Sequence, residues 1–260
     1  MRSVLNPWAL CALAVSLWLT LGSGISRAQG PSDFDTWSSV VIAGDWRDGD
    51  GRPIEAFDNA RRDLSKSILD LGFSNRHHTS ITLNPAKPDA VTPVQALRRI
   101  SAVATPETTG CLIYLTSHGI PSNIVFGDTK GLEPVDVAAM LRQWCGPRPT
   151  IVVLSACFSG SFVDALKAPN RMILTAARRD RTSFGCGEGE IYPWFDACFL
   201  QSLPQSFDFL DLASQARACV HQRETEVGIT TPSEPQLFVG AEMQIRLPTL
   251  RFKHSPQFSD

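Results

Sequence analysis

The chain has 260 residues, 43% of them hydrophobic and 19% charged, with 18 glycines and 18 prolines spread without a period. That composition is ordinary for a globular enzyme, long enough for one sizeable core and outside the collagen-like and disordered ranges. Twenty-four basic against 26 acidic residues leave a net charge of −2. No Lys/Arg block supplies the concentrated positive surface that phosphate backbones need, so no nucleic-acid partner is expected.

In chain order, residues 1–28 stand apart. Arg2 precedes an apolar run from Trp8 to Leu21, and Ser26-Arg27-Ala28 has the small-x-small form of a cleavage site. This is the pattern of a secretory signal peptide, and a run of about 14 residues is short for the roughly 20 that a spanning helix needs. The expectation is an exported protein, periplasmic, secreted or lumenal, that begins near Gln29 and holds no membrane segment after cleavage. An uncleaved anchor is the alternative.

Residues 39–43 (SVVIA) are the first expected strand, followed by a Gly/Asp-rich loop at 44–51. Phe57, Ala60, Leu64, Ile68 and Leu71 recur at helical spacing, and Gly72 ends that helix. A short strand is expected at 81–83. Val94, Leu97, Ile100 and Val103 mark a helix behind the Thr92-Pro93 start.

Residues 111–116 (CLIYLT) read as a buried strand, 123–127 as a small hairpin strand and 134–144 as a helix. Further strands are expected at 150–154 (TIVVL) and 171–176 (RMILTA), helices near 194–203 and 210–226, and a last strand at 236–239. Alternating apolar strands and helices predict an α/β fold with a mostly parallel sheet. Residues 29–247 form one domain without repeat or linker, and 248–260 read as a loose C-terminal tail.

Cleavage after residue 28 would remove Cys11 and leave Cys111, Cys145, Cys157, Cys186, Cys198 and Cys219. In an exported chain disulfides are the default. No Cys-x-x-Cys occurs, which argues against a thioredoxin-type motif and the usual structural zinc pattern. His77-His78 has no partner at ligand spacing and reads as a solvated loop pair rather than a metal site.

Functional side chains of an open parallel sheet gather beyond the carboxyl ends of its strands. His118 and Cys157 both fall there, each just past a buried apolar run and each followed by glycine, Gly119 or Ser159-Gly160. The thiolate is the nucleophile and a leaving amine needs a proton, so a reactive cysteine calls for an imidazole nearby. Either residue alone would read as core filler or half a disulfide. Phe158-Ser159-Gly160-Ser161 lacks the Gly-x-Ser-x-Gly elbow of a serine hydrolase.

These residues carry a resemblance. Ile113-Tyr114-Leu115-Thr116-Ser117-His118-Gly119 and Leu154-Ser155-Ala156-Cys157-Phe158-Ser159-Gly160-Ser161 are similar to the His-Gly and Ala-Cys-x-Ser-Gly-Ser blocks of the legumain (asparaginyl endopeptidase) family. Thr175-Ala176-Ala177, running on to Ser183-Phe184-Gly185-Cys186, resembles the block after the family's nucleophile. The resemblance implies a caspase-like three-layer sandwich, a mostly parallel sheet of about six strands flanked by helices. It implies His118 as general base and acid, Cys157 as nucleophile, and the N–H groups of Gly119 and Cys157 as oxyanion hole, with peptides or proteins as substrate and no metal or organic cofactor.

Two positions depart from the family. Ser155 stands where a glutamate often helps bind asparagine, and Asp50-Gly51-Arg52 stands for Asn-x-Arg. The resemblance then implies Asp50 as orienter of His118, with Arg52 and Ser155 contacting substrate. The alternative makes Asp45, Asp48 and Asp50 solvated turn residues. A guanidinium unbalanced by an acid at 155 favours Asp or Asn before the scissile bond.

The expected activity is a cysteine endopeptidase working through a thioester. A transpeptidase using the same dyad and a non-catalytic binding protein on the same fold are the alternatives.

Strand order carries one more expectation. If the strands leading to His118 and Cys157 are parallel neighbours, Cys111 and Cys145 lie together at the opposite end of the sheet, within disulfide reach. Cys198 and Cys219, on successive helices, are the weaker second pair. Buried, reduced thiols are the alternative.

Overall fold

The computed structural model describes residues 32–254. The expected signal peptide, residues 1–28, and the last six residues of the chain lie outside them. Six strands build one sheet: β1 (Trp37–Ala43), β2 (His78–Thr82), β3 (Gly110–Thr116), β6 (Thr150–Ser155), β7 (Arg171–Thr175) and β8 (Gln236–Val239). A two-stranded hairpin, β4 (Gly119–Ile120) and β5 (Asn123–Ile124), stands apart. The sheet order is β2-β1-β3-β6-β7-β8, and every pairing is parallel except that of β7 with β8.

The four inner strands are buried from end to end because helices cover both faces. Alternate residues therefore point into two cores. Val41, Tyr114, Val153 and Leu174 join one, with α1 (Ala56–Asp70), α5 (Trp194–Ser202), α6 (Phe209–Glu226) and α7 (Ala241–Arg246). Val40, Ile113, Val152 and Ile173 join the other, with α2 (Pro93–Val103), α3 (Pro134–Trp144) and α4 (Val163–Leu166). This is the expected three-layer α/β sandwich.

Local signals set the helix starts. Thr92 and Gln95 close a capping box ahead of Pro93, and Asp208 accepts the Leu210 and Asp211 N–H groups at 2.9 Å each at the start of α6. Gly72 ends α1 at φ 111°, a backbone region that suits glycine.

Cys111 at the start of β3 is bonded to Cys145 at the end of α3, with Cα atoms 5.9 Å apart, and Cys198 of α5 is bonded to Cys219 of α6, at 5.6 Å. Both bridges lie away from the carboxyl ends of the parallel strands or outside the sheet, and Cys157 and Cys186 are left free.

Two expectations fail. Residues 248–254 are not loose: Phe252 is 2% exposed and packs against Phe34 and Phe209, while the Arg251 and Lys253 N–H groups bond Asp33 and the Leu71 carbonyl. One aromatic side chain in a core anchors a segment that has no period to display. His78 is also no solvated loop residue. It opens β2, its Nδ1 lies 2.8 Å from Ser39 Oγ, and burial pushes its pKa down to about 4.

Among the described residues, no helix is long and apolar enough to cross a membrane, and no cluster of His, Cys, Asp or Glu could hold a metal ion.

Candidate active site

Thr116 and Ser155 are partners in the β3–β6 register. His118 follows the first by two residues and Cys157 follows the second by two. Both half-buried side chains thus leave the same sheet edge from neighbouring parallel strands, about 4.8 Å apart.

Gly119 sits directly on the Cys157 backbone: a Cβ added there would lie 2.1 Å from the Cys157 carbonyl oxygen and 3.1 Å from Ala156 Cβ. Only glycine allows the two loops to approach this closely.

The turn after Cys157 is strained. Phe158 holds φ at 56°, a left-handed conformation that a bulky side chain rarely adopts. The surroundings enforce it. Phe158 N–H bonds the Arg181 carbonyl, Gly160 N–H bonds that of Ala177, and Ser161 Oγ bonds the Phe158 carbonyl while accepting the Ser122 N–H of the β4–β5 hairpin.

The Cys157 sulfur accepts the Ser183 N–H at 3.2 Å and faces the Ser183 carbonyl at 3.5 Å. Burial pushes its thiol pKa up, and the N–H groups of Ser183 and of Cys157 itself oppose that rise by favouring the thiolate.

His118 Nε2 is 2.7 Å from the Arg47 carbonyl, an acceptor, so Nε2 carries the proton and Nδ1 is left as the basic nitrogen. The Phe57 ring meets the imidazole edge-on, with centroids 5.0 Å apart. A fixed tautomer and a packed ring plane are what a proton shuttle requires.

The role expected of Asp50 therefore falls to a backbone carbonyl. The Asp50 carboxylate is 77% exposed and accepts Arg52 Nη2 at 2.8 Å instead. The backbone sharing that loop offers the imidazole an acceptor that needs no side chain. Arg47 is held in turn by Asp45 and Asp128.

Arg52 is not an unbalanced guanidinium either. Asp48 accepts its Nε at 2.9 Å, Asp50 its Nη2, and Glu188, from the loop that follows Ser183, stands 3.6 Å from Nη1. Three carboxylates from two loops thus surround the guanidinium. Ser155 faces inward, 2% exposed, and its hydroxyl bonds Asp196.

Asp196 was absent from the residues singled out in the sequence. It is fully buried, accepts the Tyr114 and Thr116 hydroxyls at 2.5 Å each, and ties together the ends of β3 and β6 from which His118 and Cys157 depart. Burial raises its pKa to about 6, against the lowering effect of the three hydroxyl donors. An acid inside the apolar stretch Tyr192-Pro193-Trp194-Phe195-Asp196 is the signal that could have found it.

The model of the Peptidase C13 family matches residues 100–230, just over half of the 260 residues. The chain belongs to the Peptidase C13 family, that of legumain. Both His118 and Cys157 fall inside the matched segment. Among solved structures, caspase-1 from Spodoptera frugiperda is similar in fold, with a TM-score of 0.58 and 13% identity over 81% of this chain and 89% of that one. No curated protein sequence matches the chain. Membership of the C13 family makes it a cysteine-type peptidase, acting on peptides or proteins.

Proposed function

We propose that the chain is an exported cysteine endopeptidase in which Cys157 attacks the peptide carbonyl and His118 moves the proton. His118 Nδ1 takes the thiol proton as the sulfur–carbon bond forms, then gives it to the leaving amine as the peptide bond breaks. Water, deprotonated by the same nitrogen, resolves the thioester. The N–H groups of Gly119 and Cys157 serve the oxyanion, donors that are each worth a factor of about 100 to 1,000 in turnover.

The observation that carries this reading is the matched departure of His118 and Cys157 from the Thr116–Ser155 pair, with Gly119 seated against the Cys157 carbonyl. The two disulfides support a life in an oxidising compartment. Arg52 already faces Asp48, Asp50 and Glu188, so this guanidinium favours a neutral carboxamide over another carboxylate. Cleavage after Asn, ahead of Asp, follows.

The test incubates the protein starting at Gln29 with a peptide library, with and without an added amine, and weighs the products. Cys157→Ala and His118→Ala should each abolish cleavage with the fold intact by circular dichroism. Near wild-type turnover in either variant refutes the dyad, and products capped by the amine would mark a transpeptidase. A profile dominated by Lys, Arg or large apolar residues before the cut refutes the specificity.

A further inference from the structure

Cys157 and Cys186 are the two free thiols among the described residues, while the other four cysteines there are paired. One short segment connects them. Ser183 holds the Cys157 sulfur through both its N–H and its carbonyl, and Cys186 follows three residues later.

The Cys186 side chain lies against the small apolar cluster of Ala43, Ile54, Ala56 and Phe57, whose Phe57 ring touches His118. Its thiol reaches no acceptor nearer than the Phe184 carbonyl, at 4.0 Å. Burial, and then the charges of Cys157, Asp196 and Glu190, push its pKa well above the ordinary thiol range. Cys186 is thus a free thiol three residues from the group that holds the Cys157 sulfur.

Gly185 packs against Trp194, and the chain beyond Cys186 is open to solvent. Gly187 and Gly189 would meet nothing within 4 Å if given a Cβ, and Glu188 between them is exposed, 3.6 Å from Arg52. Exposed glycines lower the cost of rearranging a loop.

We propose that Cys186 is the resolving thiol of an oxidative modification site: peroxide oxidises Cys157, and Cys186 captures the product as a reversible Cys157–Cys186 disulfide. In the first step the Cys157 sulfur attacks a peroxide oxygen, the O–O bond breaks, and a sulfenic acid and water form. In the second the Cys186 sulfur attacks the sulfenyl sulfur, and the departing hydroxide takes the Cys186 proton as water. Two thiols and one peroxide yield one disulfide and two waters, so the two electrons removed from sulfur reduce the peroxide.

The consequence is protection. In the oxidising compartment that the other bridges imply, an unguarded nucleophile would pass to sulfinic and sulfonic acids, which thiols do not reverse. A disulfide holds it inactive and recoverable. The inference rests on the reading of Cys157 as a reactive thiol.

The experiment treats the folded protein with graded hydrogen peroxide, blocks remaining thiols, and maps disulfides by non-reducing digestion and mass spectrometry. A peptide pair joining Cys157 to Cys186 is expected in the wild type, beside unchanged Cys111–Cys145 and Cys198–Cys219 pairs. Cys186→Ala and Cys186→Ser should instead accumulate sulfinic and sulfonic acid at Cys157. After a glutathione chase the wild type should recover about tenfold more of its own untreated activity than either variant, since only its oxidised form is a thiol substrate.

Cys157 passing directly to sulfinic acid in the wild type at every dose, with no Cys157–Cys186 pair, overturns the proposal. So does Cys186 linked to Cys198 or Cys219. The mapping needs no turnover, so the bridge is read even from a chain that cleaves no peptide. Absence of cleavage beside a mapped bridge would refute the peptidase reading and leave this one standing.

Discussion

Replacing Asp196 by Asn should change how stability depends on pH, with a sign set by burial. The native carboxyl has a pKa of about 6 against an ordinary 3.8, so the folded protein holds this proton more tightly than the unfolded chain does. Its contribution is present in full below the unfolded value and is lost as the pH rises toward and through about 6. The difference of about 2 units corresponds to on the order of 3 kcal/mol between pH 3 and pH 7. Asn keeps the shape and an acceptor for the Tyr114 or Thr116 hydroxyl but does not titrate. Urea unfolding of both proteins at pH 4, 5, 6 and 7 reads the effect as the difference between their stabilities, which should move in favour of Asp196→Asn as the pH rises. His78 works in the opposite direction, since a pKa depressed to about 4 costs stability as the pH falls. Present in both proteins, it cancels in the difference. A stability difference that stays constant across the range would refute a carboxyl held partly neutral by burial.

Gly119→Ala should lower kcat/KM on the order of 100-fold, because the new methyl group must push the Cys157 carbonyl aside. Unchanged kinetics on the best library peptide would show that the hairpin yields without moving Cys157. Removing the Cys111–Cys145 bridge as a double alanine variant should cost about 4 kcal/mol by loop entropy, given a separation of 34 residues. Identical urea midpoints for variant and wild type would refute it. Arg148 donates to the carbonyls of Ala104, Thr105, Trp144 and Thr108, tying the ends of α2 and α3 to the start of β3. Arg148→Met should cost about 2 to 4 kcal/mol, read as a lowered thermal midpoint, by removing the charged donor shared by these carbonyls, of which that of Thr105 keeps the Thr108 N–H and hydroxyl.

The strands were legible because a strand buried on both faces writes itself as a continuous apolar run, as in CLIYLT and TIVVL. Helices α2 and α3 were legible to the residue at their starts, where Thr92-Pro93 and Glu133-Pro134 carry the capping chemistry locally. His118 and Cys157 could be found for a related reason: their place at the ends of apolar runs is a property of neighbouring residues in the chain. The Cys111–Cys145 expectation needed only the parallel order of two strands, and short α4 and α7 escaped notice because a turn or two of helix shows no period.

What only the tertiary structure decided lies in contacts between residues distant in sequence. Asp50 matched a family pattern, yet the Arg47 carbonyl bonds His118, because a backbone acceptor leaves no mark on residue identity. Arg52 and Ser155 looked unpaired as letters, and acquired Glu188 and Asp196 from segments more than 40 residues further on and 136 and 41 residues away respectively. The antiparallel setting of β8, the packing of Phe252 and the seating of Cys186 against Phe57 have the same origin. Period, caps and charge act over a few residues and are written in the sequence, whereas burial and pairing across the fold exist only once the chain has closed on itself.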